Sequence, residues 1–236
     1  GLFKYGIISV RKSLEEGVDF IFQDFAGFLD VKKTGEVKVQ FKFSDVGLEE
    51  SLIENNFSYL EVLDFSRGLD VIVGWKMTEG GNPSEFYVID GVKNQKTKLD
   101  LKNFSKVDEF YIYLEENGSF QMHSFSMFYA SIIGENIVFS NMSFNEAYVY
   151  NLKNGSLKFY EVENTLHPSK PMKSYKGKYS NEIEYKRAEA DLNAEIHFSN
   201  FYYDRLNNKY YRFATLSTPI EGTTKKKNRK FLNIFN

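Results

Sequence analysis

The sequence has 236 residues, of which 30 are basic and 32 acidic, giving a formal net charge of -2. This length is enough for one large or two small buried cores, and a hydrophobic content of 42% excludes disorder as the default state. The near-equal numbers of basic and acidic residues differ from the basic excess that is typical of a nucleic-acid-binding domain. The absence of cysteine excludes disulfides, thiolate catalysis and cysteine-ligated zinc.

The N-terminus, GLFKYGIISVRKSLEE, has an apolar run that is too short for a signal peptide. No stretch of the chain has enough consecutive apolar residues to span a bilayer as a helix. The sequence also begins without Met, and we therefore expect residues 1–236 to be a single domain that is incomplete.

Short apolar runs of the β type recur along the chain and predict many short strands. In EVKVQFKF, Glu36–Phe43, polar and apolar residues alternate, which places Phe41 and Phe43 on the core side of a strand. The predicted strands cover residues 5–10, 18–22, 36–43, 59–65, 69–75, 86–89, 109–114, 137–139, 147–150, 157–162, 195–198 and 209–214. Residues 181–192 instead predict one short inserted helix, with Asn181 as its N-cap and no Gly or Pro inside.

Four hairpins share one pattern, in which an apolar strand ends at Asp or Asn and a turn rich in Lys, Gly and Asn follows. They begin at Phe28, Tyr87, Tyr148 and Phe201, at intervals of 59, 61 and 53 residues. The end-of-strand residues are Asp30, Asp90, Asn151 and Asp204. The repeat predicts an all-β, β-propeller-like fold of about four blade-like units, with a β-sandwich or barrel as the alternative. We expect these units to belong to a larger six- or seven-bladed ring, with a small closed ring as the alternative.

Three residues are candidates for ligand binding. Trp75 is the only tryptophan and comes just before a Gly-rich loop, where it could stack on a sugar; core packing is the alternative. In the hairpin FYYDRLNNKYYRF, residues 201–213, aromatic residues pair across the strands, and Tyr203 lies on one side. Arg212 points opposite to its neighbours and could stack on a tyrosine or pair with a carboxylate such as Glu195. A structural role is the alternative for both.

The sequence contains no recognisable catalytic, metal or cofactor motif. His123, His167 and His197 do not have H-E-x-x-H spacing, and neither a G-x-S-x-G sequence nor a phosphate-binding glycine loop occurs. Neighbouring carboxylates on a strand point to opposite faces, so the acidic doublets are poor candidates for a catalytic pair. We therefore predict no catalytic residues, no metal site and no cofactor.

The segment EIHFSNFYYDRLNNKYYRFA, residues 195–214, resembles the signature of a family of propeller-like lipoproteins of unknown function from Bacteroidota. In that family E-I-x-F-G-x-F-x-Y-D precedes a hairpin ending in Y-Y-R-F/L, with a helix just upstream. The matching residues are Glu195, Ile196, Phe198, Phe201, Tyr203, Asp204, Tyr210, Tyr211, Arg212 and Phe213, whereas Ser199 replaces the glycine. The resemblance implies a secreted or lipid-anchored envelope protein, although this chain has no lipobox cysteine. It supplies no catalytic motif.

We weigh three functions on these observations. The first is a non-enzymatic binding or scaffold module of the bacterial cell envelope, with a protein or glycan ligand held by loops. The second is a carbohydrate-active hydrolase or lyase that uses Asp and Glu in a central propeller pocket. The third is an assembly role within a larger chain.

The basic run KKKNRK, residues 225–230, is interpreted as a solvated turn or linker, with a membrane or nucleic-acid patch as the alternative. We expect no nucleic-acid partner, and membrane contact only through a lipid anchor outside this chain.

Overall fold

The computed structural model describes residues 9–12, 20–24, 27–48, 51–53, 56–65, 71–77, 83–116, 118–124, 127–163, 165–175, 177–219 and 226–235. These residues are mostly in β-strands, which confirms the all-β prediction, and none of the sheets that they form is closed. The chain divides into two compact units, Gly1–Asp100 and Leu101–Asn236. The prediction of a single domain over residues 1–236 stays a prediction.

The first unit consists of two antiparallel sheets in which chain neighbours are also sheet neighbours. The four-stranded sheet contains β1 (Ser9–Lys12), β2 (Phe20–Asp24), β3 (Gly27–Val31) and β4 (Val37–Lys42). A 3-10 helix, Phe43–Val46, follows it. The five-stranded sheet contains β5 (Ser51–Ile53), β6 (Asn56–Phe65), β7 (Val71–Met77), β8 (Pro83–Asp90) and β9 (Gln95–Leu99). Phe41 and Phe43 are buried as their alternation predicted, and Phe28 packs edge-on against Phe43 at 5.7 Å between ring centroids.

The second unit begins with a 3-10 helix, Lys102–Phe110, and continues as three sheets. One sheet contains β10 (Ile112–Glu116), β11 (Ser119–Ser124) and β16 (Lys178–Tyr179), and β16 pairs with β10 in parallel. The next is an antiparallel meander of β12 (Phe128–Ile133), β13 (Asn136–Asn141), β14 (Glu146–Asn151) and β15 (Leu157–Glu161). The last contains β17 (Ile196–Phe198), β18 (Tyr202–Asp204), β19 (Lys209–Pro219) and β20 (Lys226–Phe235). In this sheet β17 and β18 pair with one edge of β19, and β20 pairs with the other edge.

The predicted helix is confirmed as α1, Glu182–Leu192. The Asn181 side chain caps it, because its Oδ1 accepts hydrogen bonds from the backbone N–H groups of Ile183 at 2.9 Å and Glu184 at 3.1 Å. Tyr185 and Leu192 are the buried residues of its inner face. Within the residues described, no helix has the length and apolar character needed to cross a bilayer.

All four repeated segments form hairpins, and three of them use the same capped turn. In each of the three, the side chain of the end-of-strand residue accepts backbone hydrogen bonds from the residues two and three positions later. The acceptors are Asp90 (from Val92 and Lys93), Asn151 (from Lys153 and Asn154) and Asp204 (from Leu206 and Asn207). The fourth turn residue has a left-handed backbone, with φ of 50° at Asn94, 69° at Gly155 and 51° at Asn208. Asx capping and a tolerated positive φ therefore explain why Asp, Asn and Gly recur in the sequence.

We expect Asp90→Ala to lower the free energy of unfolding by about 1 kcal/mol, because two turn N–H groups lose their acceptor. The matched control is Val92→Ala in the same turn. The Val92 side chain is exposed, so this change should stay within about 0.5 kcal/mol of wild type. Urea denaturation compares the two variants, and an equal effect would contradict the capping account.

Candidate functional site

A groove of about 590 Å³ opens in the second unit between the β12–β15 sheet and the β17–β20 sheet. Its more buried members are apolar: Val138, Ala147, Val149, Phe201 and Phe235. Its aromatic and polar members are Tyr160, Glu161 and Glu163, which are exposed, and Asn136 and Tyr210, which are half-buried. The volume lies within the range of about 300–1,000 Å³ that is typical of small-molecule sites.

Strand alternation places the first wall of the groove on one face of the β12–β15 sheet. Val138 lies directly opposite Val149, and Ala147 lies directly opposite Tyr160, so these four side chains share a face. Because the Ala147 side chain is small, it leaves space beside the ring of Tyr160. The groove therefore has an aromatic side chain, about half exposed, next to an apolar base.

The opposite wall is formed by aromatic residues of the last sheet. The rings of Phe201 and Phe235 lie 5.4 Å apart, and the ring of Tyr210 lies 4.8 Å from that of Tyr203. The Arg212 guanidinium lies 4.8 Å from the centroid of Phe201 and 4.9 Å from that of Phe198. Arg212 therefore contacts the ring of Phe201, which lines the groove, but the Arg212 side chain does not itself line the groove.

Arg212 is fully buried and its hydrogen bonds fix the connection between β13 and β14. It donates to the backbone carbonyl oxygens of Asn141 at 2.6 Å, Phe144 at 3.0 Å and Glu146 at 3.3 Å. A fourth bond, 2.8 Å long, reaches the carbonyl of Ser199 in the last sheet. Burial lowers the pKa of Arg212, but a guanidinium remains protonated at neutral pH. One side chain thereby ties the two sheets that enclose the groove.

Glu146 is a buried carboxyl group beside this network. It is 4% exposed, and burial raises the pKa of its carboxyl to about 7. The positive charges of Lys106 and Arg212, and a 3.5 Å hydrogen bond from the Asn141 side-chain amide, oppose this rise. Glu146 consequently gains or loses a proton near neutral pH.

The three candidate residues from the sequence lie apart from the groove lining. Trp75 lies on β7 in the first unit, is 3% exposed and stacks on Phe86 at 6.5 Å, which gives its ring a packing role. Tyr203 stacks on Tyr210 and donates its hydroxyl to Asn208 Oδ1 at 2.7 Å. Arg212 stacks on two phenylalanines rather than on a tyrosine. Tyr203 and Arg212 thus each contact a groove residue from behind, and direct ligand contact by any of the three stays a prediction.

Glu195 has a partner other than the one predicted. Its carboxylate accepts hydrogen bonds from the backbone N–H groups of Met172 at 3.1 Å and Lys173 at 3.2 Å. These bonds hold the irregular loop that lines a second cavity of about 740 Å³ together with Glu109 and Phe110. Burial raises the pKa of Tyr175 in this loop.

Across the described residues, no three His, Cys, Asp or Glu side chains lie close enough together to hold a metal ion.

The sequence analysis missed the groove residues Tyr160, Tyr210, Glu161 and Glu163. Tyr160 and Glu161 lie on β15 and Glu163 follows it, whereas Tyr210 lies on β19 of another sheet, so only the packing of the two sheets brings them together. A usable sign was present in LKFYEVE, residues 157–163, where two aromatic and two acidic residues fall on and just after a short strand.

These features define a mostly β protein in which three of the five sheets of the described residues are antiparallel meanders. Residues 6–236 match the family model of DUF4221, a domain of unknown function, and the chain therefore belongs to this family. The resemblance to a family of unknown function, which the sequence predicted, is therefore confirmed.

A solved structure has a similar fold. The crystal structure of a DUF4221 member from Bacteroides vulgatus matches with a TM-score of 0.55 at 13% sequence identity. The match covers 98% of this chain and 64% of the other, so the chain spans about two thirds of the length of that protein. At this identity the likeness concerns the fold alone. No curated protein matches the sequence.

We expect Arg212→Met to lower the free energy of unfolding by about 3 kcal/mol or more, because four buried carbonyl groups lose their donor. Arg212→Lys should fall between this variant and wild type, since lysine lacks the planar fork of donors. Arg205→Met, in an exposed turn, is the control and should have almost no effect. Urea denaturation provides the measurement, and a Met variant as stable as wild type would refute the tethering role.

Glu146 makes stability depend on pH. Its pKa in the folded chain, about 7, lies above the ordinary value of 4.5, so its stabilising contribution is complete below pH 4.5 and is lost as pH rises through 7. At pH 8 the buried charge costs about 3 kcal/mol, and Glu146→Gln should be more stable than wild type by up to that amount. At pH 4.5 the two should be similar. The exposed Glu135→Gln is the control, and a pH profile for Glu146→Gln that matches wild type would contradict this assignment.

Proposed function

We propose that this chain is a non-enzymatic glycan-binding module of the bacterial cell envelope, and that the groove lined by Tyr160 and Tyr210 is its ligand site. The observation that carries the proposal is the combination of the exposed Tyr160 ring and the half-buried Tyr210 ring with polar acceptors over an apolar base. Sugar rings have an apolar C–H face and a rim of hydroxyl groups, so they need both kinds of contact.

The groove offers a separate group of residues for each kind of contact that a saccharide makes. The tyrosine rings offer flat surfaces for the C–H face of a sugar, and their hydroxyl groups can exchange hydrogen bonds with it. Glu163 and the Asn136 side chain supply acceptors for sugar hydroxyl groups. The apolar residues between them exclude water from beneath the ligand.

The proposal includes a propeller-like arrangement of the sheets. The β1–β4 and β12–β15 sheets are four-stranded antiparallel meanders, the unit from which propellers are built. Similar capped hairpins join the last two strands of the β5–β9 sheet, at Asp90, and of the β12–β15 sheet, at Asn151. This repetition supports blades of a larger ring in preference to a sandwich.

The proposed cell-envelope address rests on the family. A DUF4221 member comes from Bacteroides, and the hairpin signature resembles lipoproteins of that lineage. Attachment would be through a lipid anchor outside residues 1–236.

Isothermal titration of the chain with soluble gluco-, xylo- and manno-hexasaccharides tests the proposal. We expect at least one of them to bind, and Tyr160→Ala to weaken its binding at least tenfold through loss of the stacking surface. Tyr202→Ala is the matched control, because Tyr202 is equally exposed but lies on the other face of the last sheet. Its affinity should equal that of wild type.

Two results would contradict the proposal. The first is that none of the hexasaccharides binds, or that Tyr160→Ala binds as well as wild type. The second is shortening of a bound hexasaccharide during overnight incubation, measured by chromatography, which would favour the hydrolase or lyase alternative instead.

A further inference from the structure

We infer that the second cavity, of about 740 Å³, binds a short peptide that has apolar side chains and free termini. The cavity lies between the end of the 3-10 helix Lys102–Phe110 and the loop of residues 168–175, both of which belong to the second unit. This site is different from the groove, and the inference does not depend on a glycan ligand.

The loop contains no helix or strand, and hydrogen bonds from other segments fix its backbone. The Glu195 carboxylate accepts from the N–H groups of Met172 and Lys173, as described above. The Ser169 carbonyl oxygen accepts a hydrogen bond of 2.8 Å from the backbone N–H of Asn145. The middle of the loop is therefore attached to two separate parts of the second unit.

A buried histidine fixes the start of the loop. His167 is 6% exposed, and one of its ring nitrogens contacts the Pro168 carbonyl oxygen at 2.8 Å. The other ring nitrogen contacts Asn233 Oδ1 on β20 at 3.0 Å. A loop that is already ordered loses little conformational freedom when it binds a ligand, and this favours affinity. Binding residues are commonly found on loops that a rigid scaffold positions in this way.

Two opposite charges line the cavity without pairing with each other. Glu109 comes from the helix end and Lys170 from the loop, and both residues are exposed. Neither forms an ion pair with any residue that the structure describes. Lys173 also lines the cavity, but Asp191 neutralises its charge at 3.0 Å. The cavity thus offers one carboxylate and one ammonium group to a ligand, which suits a ligand that carries both charges.

The rest of the lining supplies apolar surface and hydroxyl groups. The apolar surface comes from Phe110, Pro168, Pro171, Met172 and Tyr175. Met172 is 79% exposed, and a methionine side chain can adapt to ligands of different shape. The hydroxyl groups of Ser169 and Ser174 can exchange hydrogen bonds with peptide groups.

Volume and charge together select a peptide as the ligand. The volume lies in the upper part of the range of about 300–1,000 Å³ that is typical of ligand sites, so it has room for a few amino-acid residues. A peptide with free termini carries an ammonium group for Glu109 and a carboxylate for Lys170. A neutral sugar would match neither charge, and a simple organic anion would leave Glu109 unmatched. A further sheet of a larger ring that covered this cavity would bury both unpaired charges, which is costly, so we expect the cavity to remain open to solvent.

Methyl-detected NMR with the tripeptide leucyl-alanyl-leucine tests the inference. The methionine methyl groups of the chain are labelled, with Met172 as the reporter and the exposed Met127, outside the cavity, as the control. We expect the peptide to shift the Met172 signal and to leave the Met127 signal unchanged. Acetylation of the peptide's amino end, or amidation of its carboxyl end, should each weaken binding at least about threefold, because each removes one charge contact.

Two variants test which residue meets which end of the peptide. Glu109→Gln should bind the acetylated peptide as tightly as wild type does, because the ammonium group that Glu109 contacts is already absent. For the same reason, Lys170→Gln should bind the amidated peptide as tightly as wild type does. Each variant should bind the unmodified peptide at least about threefold more weakly. Lys153→Gln, at an exposed turn outside the cavity, is the matched control and should bind all three peptides like wild type.

Three results would overturn the inference. The first is an unchanged Met172 signal at about 10 mM peptide, where even a complex with a Kd of about 1 mM is mostly formed. The second is equal binding of the free and the blocked peptides, which would show that apolar contact alone holds them. The third is an equal loss of all three peptides in both variants. Circular dichroism checks that each variant is folded, and if one is not, the comparison of the three peptides on wild type decides.

Discussion

The buried guanidinium of Arg212 is the interaction on which the second unit depends. It joins the carbonyl groups of the β13–β14 connection to the carbonyl of Ser199 in the last sheet, and it stacks on Phe198 and Phe201. A buried positive charge is costly unless each of its donors is satisfied, and backbone carbonyls supply the acceptors here. Two sheets that share no strand pairing are thereby held at a fixed separation, and the groove is the space that remains between them.

The last sheet has two faces with different chemistry. One face carries Phe201, Tyr210 and Phe235 towards the groove, where they meet the β12–β15 sheet. The other carries exposed Tyr202, Phe213, Leu232 and Ile234. Because alternation assigns each side chain to one face, the same aromatic-rich sheet lines the groove on one side and exposes apolar side chains on the other.

Sequence patterns correctly predicted the structural features that depend on residues close together in the chain. The Asn181 cap, the end-of-strand Asp90, Asn151 and Asp204, and the burial of Phe41 and Phe43 all follow from hydrogen bonds or alternation within a few residues. The groove could not be predicted in this way, because Tyr160 and Phe235 are far apart in the chain and meet only through the packing of two sheets. The sequence indicated Arg212 as a candidate ligand-binding residue. Its main hydrogen-bond partners are backbone carbonyl groups, and because every residue carries one, the sequence could not show which of them Arg212 contacts. The predicted partner, Glu195, instead binds the loop at Met172 and Lys173.

The central claim is that Arg212 holds the two walls of the groove together. Hydrogen–deuterium exchange of wild type and Arg212→Lys tests it most directly, because exchange reports on local opening of the backbone. The account predicts faster exchange in residues 141–146 and 199–203 of the variant, with little change in the β3–β4 and β8–β9 hairpins of the first unit. Unchanged exchange in residues 141–146 would contradict it.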